Sequence, residues 1–149
     1  MSTNKKELYL KCLDAVNEQI EKYEEEMDMI RESMDSNDVK TDYDEDNRGQ
    51  LLGDFEKNAN YLNKARQMKE TLTSIDQEYH STSVDFGSLV ETDQSYYYIS
   101  VPLGAIQMED GSTIMAISTE APIYTELKGK KEGDTFTYND RDFKVVEVS

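Results

Sequence analysis

The sequence predicts an α+β protein, in which an N-terminal antiparallel coiled-coil hairpin of two helices precedes a small antiparallel β domain with one short helix. Three observations carry this prediction. Residues 1–80 contain no proline, apolar residues there recur at helical spacing, and residues 86–149 hold both prolines and five of the seven glycines. β-branched residues also concentrate in the C-terminal part, as is typical of strands. We therefore divide the chain into a hairpin at residues 1–80 and a β domain at residues 81–149.

The first predicted helix spans about residues 5–34 and carries a single apolar stripe. Spacings of four and three residues alternate along the stripe, which is typical of a helix that pairs with another along its length. Its members are Tyr9, Leu13, Val16, Ile20, Tyr23, Met27, Ile30 and Met34. At a rise of about 1.5 Å per residue, such an arm is on the order of 45 Å long.

The second predicted helix spans about residues 48–78 and has a less regular stripe. Its apolar members are Leu51, Phe55, Leu62, Ala65, Met68, Leu72 and Ile75. Residues 35–47, between the two helices, are rich in Asp, Asn and Ser, which favour turns and caps over helix interiors. We predict the connection there, because it leaves two arms of nearly equal length.

Negative charge concentrates toward this connection. Residues 21–46 contain twelve acidic and three basic side chains. A cluster of one sign attracts cations and basic surfaces. Such a run is usually a solvated surface, but the densest part, residues 42–46, falls at the predicted end of a rod, which favours a functional role.

The composition of the whole chain excludes several classes of protein. A formal charge of −16 argues against general nucleic-acid binding, which needs a basic surface to neutralise phosphates. The chain has no apolar run of about 18–20 residues and no apolar signal core, so we expect a cytoplasmic protein. The single Cys12 cannot form a disulfide framework or a cysteine-based zinc site within one chain, and we expect a packed thiol.

Turn residues divide the C-terminal part into short strands. Strands are predicted at residues 87–92, 96–101, 113–118, 135–138 and 143–148, separated by turns near residues 93–95, 109–111 and 139–141. Alternation places Tyr96 and Tyr98 on one face of the sheet and Tyr97 on the other. Pro122 opens a short helix through Leu127, and Gly129 ends it.

Two segments of this part resemble a known family. Residues 118–134 are similar to the C-terminal signature of the Gre transcript-cleavage and elongation factors of bacterial RNA polymerase, in which a Ser-Pro-Leu-like turn precedes Ala-Leu-x-Gly-Lys and Gly-Asp. Residues 86–90, Phe-Gly-Ser-Leu-Val, resemble the start of the first strand of the FKBP-like domain of that family. Ala121 stands where the family has serine before the proline.

The resemblance implies a function in transcription elongation. In the Gre family, the coiled coil enters the secondary channel of RNA polymerase. There, an Asp and a Glu at its tip help to hold Mg²⁺ and to orient water for cleavage of backtracked RNA. Carried over, these residues are Asp42 and Glu45, with Asp44 and Asp46 as neighbouring ligands, and a polymerase contact at Ala121, Pro122 and Ile123. The protein is then not an enzyme by itself but stimulates the nuclease activity of polymerase. We expect a monomer, with a dimer as the alternative.

Two placements of the tip compete. In residue identity, residues 53–61 match the Gly-Asp-x-x-Glu-Asn-Ala-x-Tyr pattern of the family more closely, but Lys57 occupies the glutamate position. A turn at Gly53 would also leave arms of very unequal length, which cannot pair along their whole length. Geometry therefore favours Asp42 and Glu45, which have the same Asp-x-x-Glu spacing.

Other functions stay open at this point. One alternative is a Gre-like regulator that occupies the polymerase channel without stimulating cleavage. An FKBP-like prolyl isomerase or chaperone belongs to a different class, since fold does not fix function. The absence of Trp for the floor of an isomerase pocket argues against the isomerase. A structural coiled-coil adaptor is the fourth candidate.

Overall fold

The computed structural model describes residues 4–35 and 42–149, except for the side chains of residues 42–47. In chain order the elements are α1 (Lys5–Asp35), α2 (Asp42–Thr73), β1 (Leu89–Thr92), β2 (Tyr96–Ile99), β3 (Gly104–Gln107), β4 (Thr113–Ile117), α3 (Pro122–Leu127), β5 (Thr135–Tyr138) and β6 (Arg141–Val148). Two long helices thus precede a six-stranded, mostly antiparallel sheet and one short helix, which confirms the predicted fold class. Among the described helices, none has the length and apolar character needed to cross a membrane.

The chain forms two compact units, and one of them combines two separate stretches of the sequence. One contains Met1–Ala15 together with Glu70–Ser149, and the other contains Val16–Lys69. We call them the sheet unit and the hairpin unit. Helix α1 contributes residues to both units. The boundary between residues 80 and 81, drawn from composition, stays a prediction.

The sheet has the strand order β3-β4-β2-β1-β6-β5. Its neighbouring strands are antiparallel except for β2 and β4, which are parallel. The predicted turn between β5 and β6 is confirmed, because Tyr138 pairs with Arg141 across Asn139 and Asp140, whose φ angles are 51° and 62°. Asn and Asp tolerate this left-handed backbone, which two-residue hairpin turns require.

Strand β3 is the element that the sequence analysis missed. Gly104, Ala105 and Gln107 have low intrinsic preference for strands, so local composition gives no signal there. The strand forms because all four of its residues pair with β4 in antiparallel register. β3 occupies the edge of the sheet, and β4 returns between β3 and β2, which explains the parallel pair.

One face of the sheet packs against α3. The buried cluster on this face contains Val84, Val90, Tyr97, Ile99, Tyr124, Leu127, Phe136, Phe143 and Val145. The rings of Phe136 and Phe143 stack with centroids 4.9 Å apart, which locks β5 onto β6. Gly129 has a φ of 77° just after α3, which confirms the predicted end of that helix.

The opposite face of the sheet packs against the first turns of α1. Leu8 and Cys12 are fully buried, and Tyr98 is 1% exposed. The pKa of Tyr98 is raised by burial first and then by Cys12 and Tyr9, so both side chains lie within electrostatic range of the Tyr98 hydroxyl. The predicted alternation of the tyrosines is therefore confirmed for Tyr97 and Tyr98, which lie on opposite faces.

Specific hydrogen bonds fix the start of α1 on the sheet unit. The Asn4 side chain accepts hydrogen bonds from the backbone N–H groups of Lys6 and Glu7, at 3.0 and 3.2 Å, and so caps the helix. Lys11 Nζ lies 3.1 Å from Glu109 Oε1 in the loop between β3 and β4. The capping bonds stabilise the first turn of α1, and the ion pair ties the helix to the β3–β4 loop.

The segment between α2 and β1 is held by the carboxylate of Asp85. It accepts hydrogen bonds from the Tyr79 hydroxyl and, at 2.7 Å, from Ser88 Oγ. Gly87 has a φ of 93°, and a Cβ there would approach the Tyr79 ring to 3.2 Å. The glycine of the Phe-Gly-Ser segment is thus required by both backbone angle and space.

We expect Cys12 to resist thiol reagents in the folded protein. Burial raises the pKa of its thiol to about 12, so on the order of one thiol in ten thousand is ionised at pH 8, and the thiolate is the reactive form. Labelling with a dithionitrobenzoate reagent, followed by absorbance, should be slow in native protein and rapid in urea. Rapid stoichiometric labelling of native protein at pH 8 would contradict the packing of α1 on the sheet.

Candidate functional site

The two arms of the hairpin unit run antiparallel. The rings of Tyr23 and Tyr61 have centroids 5.4 Å apart, and Arg66 donates to Glu24 Oε1 at 3.0 Å. Arg31 lies 5.5 Å from the centroid of the Phe55 ring, so residues later in α1 meet residues earlier in α2. Consequently, the end of α1 and the start of α2 lie at the same end of the pair.

The predicted acidic tip lies at the start of α2. Asp42 is the first residue of the helix, six residues before the predicted start at 48, and the helix ends at Thr73 rather than 78. Acidic residues in a first turn are favoured by the positive end of the helix dipole, which explains the earlier start. The side chains of Asp42, Asp44, Glu45 and Asp46 lie outside the described residues.

The early end of α2 has a local cause. Thr73 Oγ1 donates to the Glu70 carbonyl oxygen at 3.2 Å, and Ser74 Oγ donates to the Thr71 carbonyl oxygen at 2.5 Å. The Ser74 backbone N–H also donates to both of these carbonyl oxygens, at 3.2 Å each, so the last turn is closed by backbone and hydroxyl donors together. The apolar stripe, which continues to Ile75, predicted a longer helix because it takes no account of these hydroxyl side chains.

The competing placement of the turn at Gly53 does not occur. Helix α2 continues without a break from Asp42 to Thr73 through residues 53–61. The Asn58 side chain donates to the Asp54 carbonyl oxygen at 2.9 Å, a contact one helical turn apart. The segment with the closer sequence match to the family pattern therefore lies inside an arm, and α1 ends at Asp35 before α2 begins at Asp42.

Segments of the two arms that lie beside each other carry opposite net charge, which the sequence analysis missed. From residue 21 to 35, α1 has seven acidic and two basic residues, whereas residues 48–69 of α2 have two acidic and five basic residues. The ion pair of Glu24 with Arg66 crosses between the arms. A separate count of charge for residues 21–35 and residues 48–69 would have shown this pattern. The described acidic surface of the hairpin unit thus lies on α1, with a basic arm beside it.

The predicted polymerase contact lies at the start of α3. Ala121 is the N-cap residue, with extended backbone and no side-chain hydrogen bond, and Pro122 occupies the first turn. Ile123 packs against the buried cluster beneath α3, whereas Pro122 is exposed. Of the three residues, Pro122 is therefore the most accessible, and Ile123 also stabilises the fold.

The described residues contain no group of three or more His, Cys, Asp or Glu side chains arranged to hold a metal ion. The predicted ligands at positions 42–46 are not among the side chains that the structure describes. Their chemistry fits Mg²⁺, because that ion prefers carboxylate and water oxygens.

Comparison with known proteins gives a structural likeness at low identity. No protein-family model matches the chain, and no curated protein matches it. Among solved structures, the chain is similar to one described as the structure of the transcription factor Gfh1, with a TM-score of 0.34 and 19% identity over 94% of this chain and 92% of the other. This likeness is too weak to assign a function.

We expect Ala121→Ser to stabilise the protein. Serine at an N-cap accepts a hydrogen bond from a backbone N–H of the first turn, and α3 lacks such a side-chain bond. The free energy of unfolding in urea should rise by about 0.5–1 kcal/mol. Ala105→Ser, on the exposed part of β3, is the matched control and should give no such gain. A lower stability of Ala121→Ser would contradict the described start of α3.

Proposed function

We propose that the protein is a Gre-like factor that binds bacterial RNA polymerase through its secondary channel and stimulates cleavage of backtracked RNA. The observation that carries the proposal is an antiparallel helical hairpin whose acidic segment, residues 42–46, begins the second arm at the end where the arms are joined. The resemblance of residues 118–134 to the Gre signature supports it. On this proposal the sheet unit contains the FKBP-like domain of that family, and the protein works in the cytoplasm.

The proposed chemistry assigns Asp42 and Glu45 as ligands that complete a metal site of the polymerase. Positions 42, 45 and 46 are three and four residues apart in α2, the spacing of neighbours along one side of a helix. One or two carboxylates bind Mg²⁺ weakly, so tight binding needs the ligands of the polymerase. When bound, the ion supplies charge neutralisation and a more acidic water. Asp44 and Asp46 add negative charge beside this pair.

The formal charge supports a protein partner rather than free nucleic acid. A chain with a net charge of −16 repels phosphates, and its described basic arm is paired with an acidic one. A factor that reaches RNA only inside polymerase does not need a basic surface for general binding. In the proposal, Pro122 supplies an exposed contact to polymerase outside the channel.

A regulator that occupies the channel without stimulating cleavage is the second candidate. The observation that favours it is the length of the acidic segment, with twelve acids in residues 21–46, whereas holding Mg²⁺ needs one or two carboxylates. Such a segment could repel phosphates of an incoming substrate. The same experiment distinguishes the two candidates.

The test is transcript cleavage in backtracked elongation complexes of a cognate bacterial polymerase. We expect the double substitution Asp42→Asn and Glu45→Gln to lower stimulated cleavage by at least about tenfold, because it removes two charged ligands at nearly constant size. The matched control is Asp54→Asn with Glu56→Gln, which removes the same charge within α2 and should leave cleavage unchanged. Binding to polymerase is measured in parallel.

The outcomes separate the candidates. If wild-type protein binds polymerase but stimulates no cleavage, the regulator is correct and the cleavage role is wrong. If the control variant loses cleavage and the Asp42 and Glu45 variant keeps it, the functional residues lie at the Gly53 segment. If the wild-type protein does not bind polymerase, the Gre-like proposal as a whole is wrong.

A further inference from the structure

A cavity of about 420 Å³ lies within the sheet unit, between the start of α1 and the sheet face that this helix covers. Its lining residues are Asn4, Lys5, His80, Leu89, Glu91, Tyr96, Glu147 and Ser149. This volume lies in the range of about 300–1,000 Å³ that is typical of small-molecule sites. None of the proposed polymerase-binding residues lines this cavity.

Two carboxylates stand directly opposite each other in this cavity. Glu91 on β1 pairs in antiparallel register with Glu147 on β6, so both side chains leave the same face of the sheet. Like charges at directly opposed positions destabilise a sheet. Within the described part of the chain, neither glutamate forms an ion pair. Glu91 is half-buried and Glu147 is exposed, so the fold keeps two like charges together at the open side of the cavity.

Tyr96 completes this wall and experiences the same negative charge. It pairs with Glu91 in register, and its hydroxyl donates to Glu91 Oε1 at 3.2 Å. Its pKa is raised first by burial and then by the charge of Glu91, with Asp110 and Glu147 contributing further. The ring of Tyr96 and the buried Leu89 add apolar surface next to the carboxylates.

Lys5 lines the cavity but has other partners. Its ammonium group donates to the Tyr79 carbonyl oxygen at 2.8 Å and lies 5.6 Å from the centroid of the Tyr79 ring. Burial lowers its pKa, and the charge of Asp85 opposes that shift. Among the described residues, no ion pair joins Lys5 to either glutamate.

We propose that this cavity binds a small organic cation through an alkylammonium group held between Glu91 and Glu147. The ammonium group donates hydrogen bonds to both carboxylates, and its alkyl chain packs against Tyr96 and Leu89. Two carboxylates suit an ammonium ion, which has three donors, better than a hard metal ion, which needs six or more oxygens. An aromatic ring beside the site also favours a cation. An anion would be repelled by the pair.

The test is calorimetric titration of the full chain with spermidine as the probe, at about 0.15 M salt, where long-range surface attraction is screened. We expect saturable binding at one site. Glu91→Gln with Glu147→Gln should weaken binding by at least about tenfold, because charge-assisted hydrogen bonds are lost. Glu120→Gln with Glu132→Gln removes the same charge from exposed positions outside the cavity and should keep the affinity.

Thermal unfolding provides a second readout that does not depend on heat signals. Spermidine should raise the Tm of the wild-type protein and of the exposed-site control, but not that of the variant at positions 91 and 147. Without spermidine, this variant should unfold at a higher temperature than wild type, because the opposed charges are gone. Equal loss of binding in both variants would show only general attraction to an acidic protein and would overturn the proposal. Absence of saturable binding to wild type would overturn it as well.

Discussion

Burial of the first turns of α1 against the sheet is the interaction on which the rest of the structure depends. Leu8 and Cys12 are fully buried there, beside Tyr98. Full burial of one leucine-sized side chain contributes roughly 1.5–3 kcal/mol, so this contact fixes the helix firmly. The same helix continues to Asp35 and supplies one arm of the hairpin unit. The cavity with the opposed glutamates also depends on this contact, because Asn4 and Lys5 form part of its wall.

The hairpin unit is stabilised differently, because it buries little apolar surface. Its buried apolar residues among those described are Val16, Leu62 and Ala65. Pairing therefore depends strongly on contacts between the arms, such as the Tyr23 and Tyr61 rings and the Glu24 to Arg66 ion pair. Opposite net charge on residues 21–35 and 48–69, which lie beside each other, adds to this pairing. The hairpin unit therefore carries the acidic segment at the start of α2 without the need for a large apolar core.

The sequence predicts those parts of the fold that depend on local chemistry. The β5–β6 turn follows from Asn139 and Asp140, and the limits of α3 follow from Pro122 and Gly129. Strand β3 was missed because its residues become a strand only through pairing with β4. The apolar stripe of α1 predicted one seam along the helix, but Leu8 and Cys12, which lie outside that stripe, are fully buried because the start of α1 packs on the sheet, which is distant in sequence.

The acidic tip and the Glu91–Glu147 pair also differ in how far the sequence predicts them. The choice between residues 42–45 and the Gly53 segment follows from arm length, which the sequence contains, and α2 does run unbroken through Gly53. The roles of Asp42 and Glu45 stay predictions. The opposed pair of Glu91 and Glu147 depends on the register of two strands at opposite ends of the β domain, and no local pattern encodes that register.

The central claim, that the start of α2 reaches the catalytic site of polymerase, is tested most directly by photo-crosslinking. A benzophenone amino acid is placed at Tyr43 and, as the control position within an arm, at the exposed Asn63. The account predicts crosslinks from position 43 to polymerase residues around the catalytic Mg²⁺, and none to that region from position 63. Crosslinks to that region from position 63 alone, or from neither position although the protein binds, would contradict it.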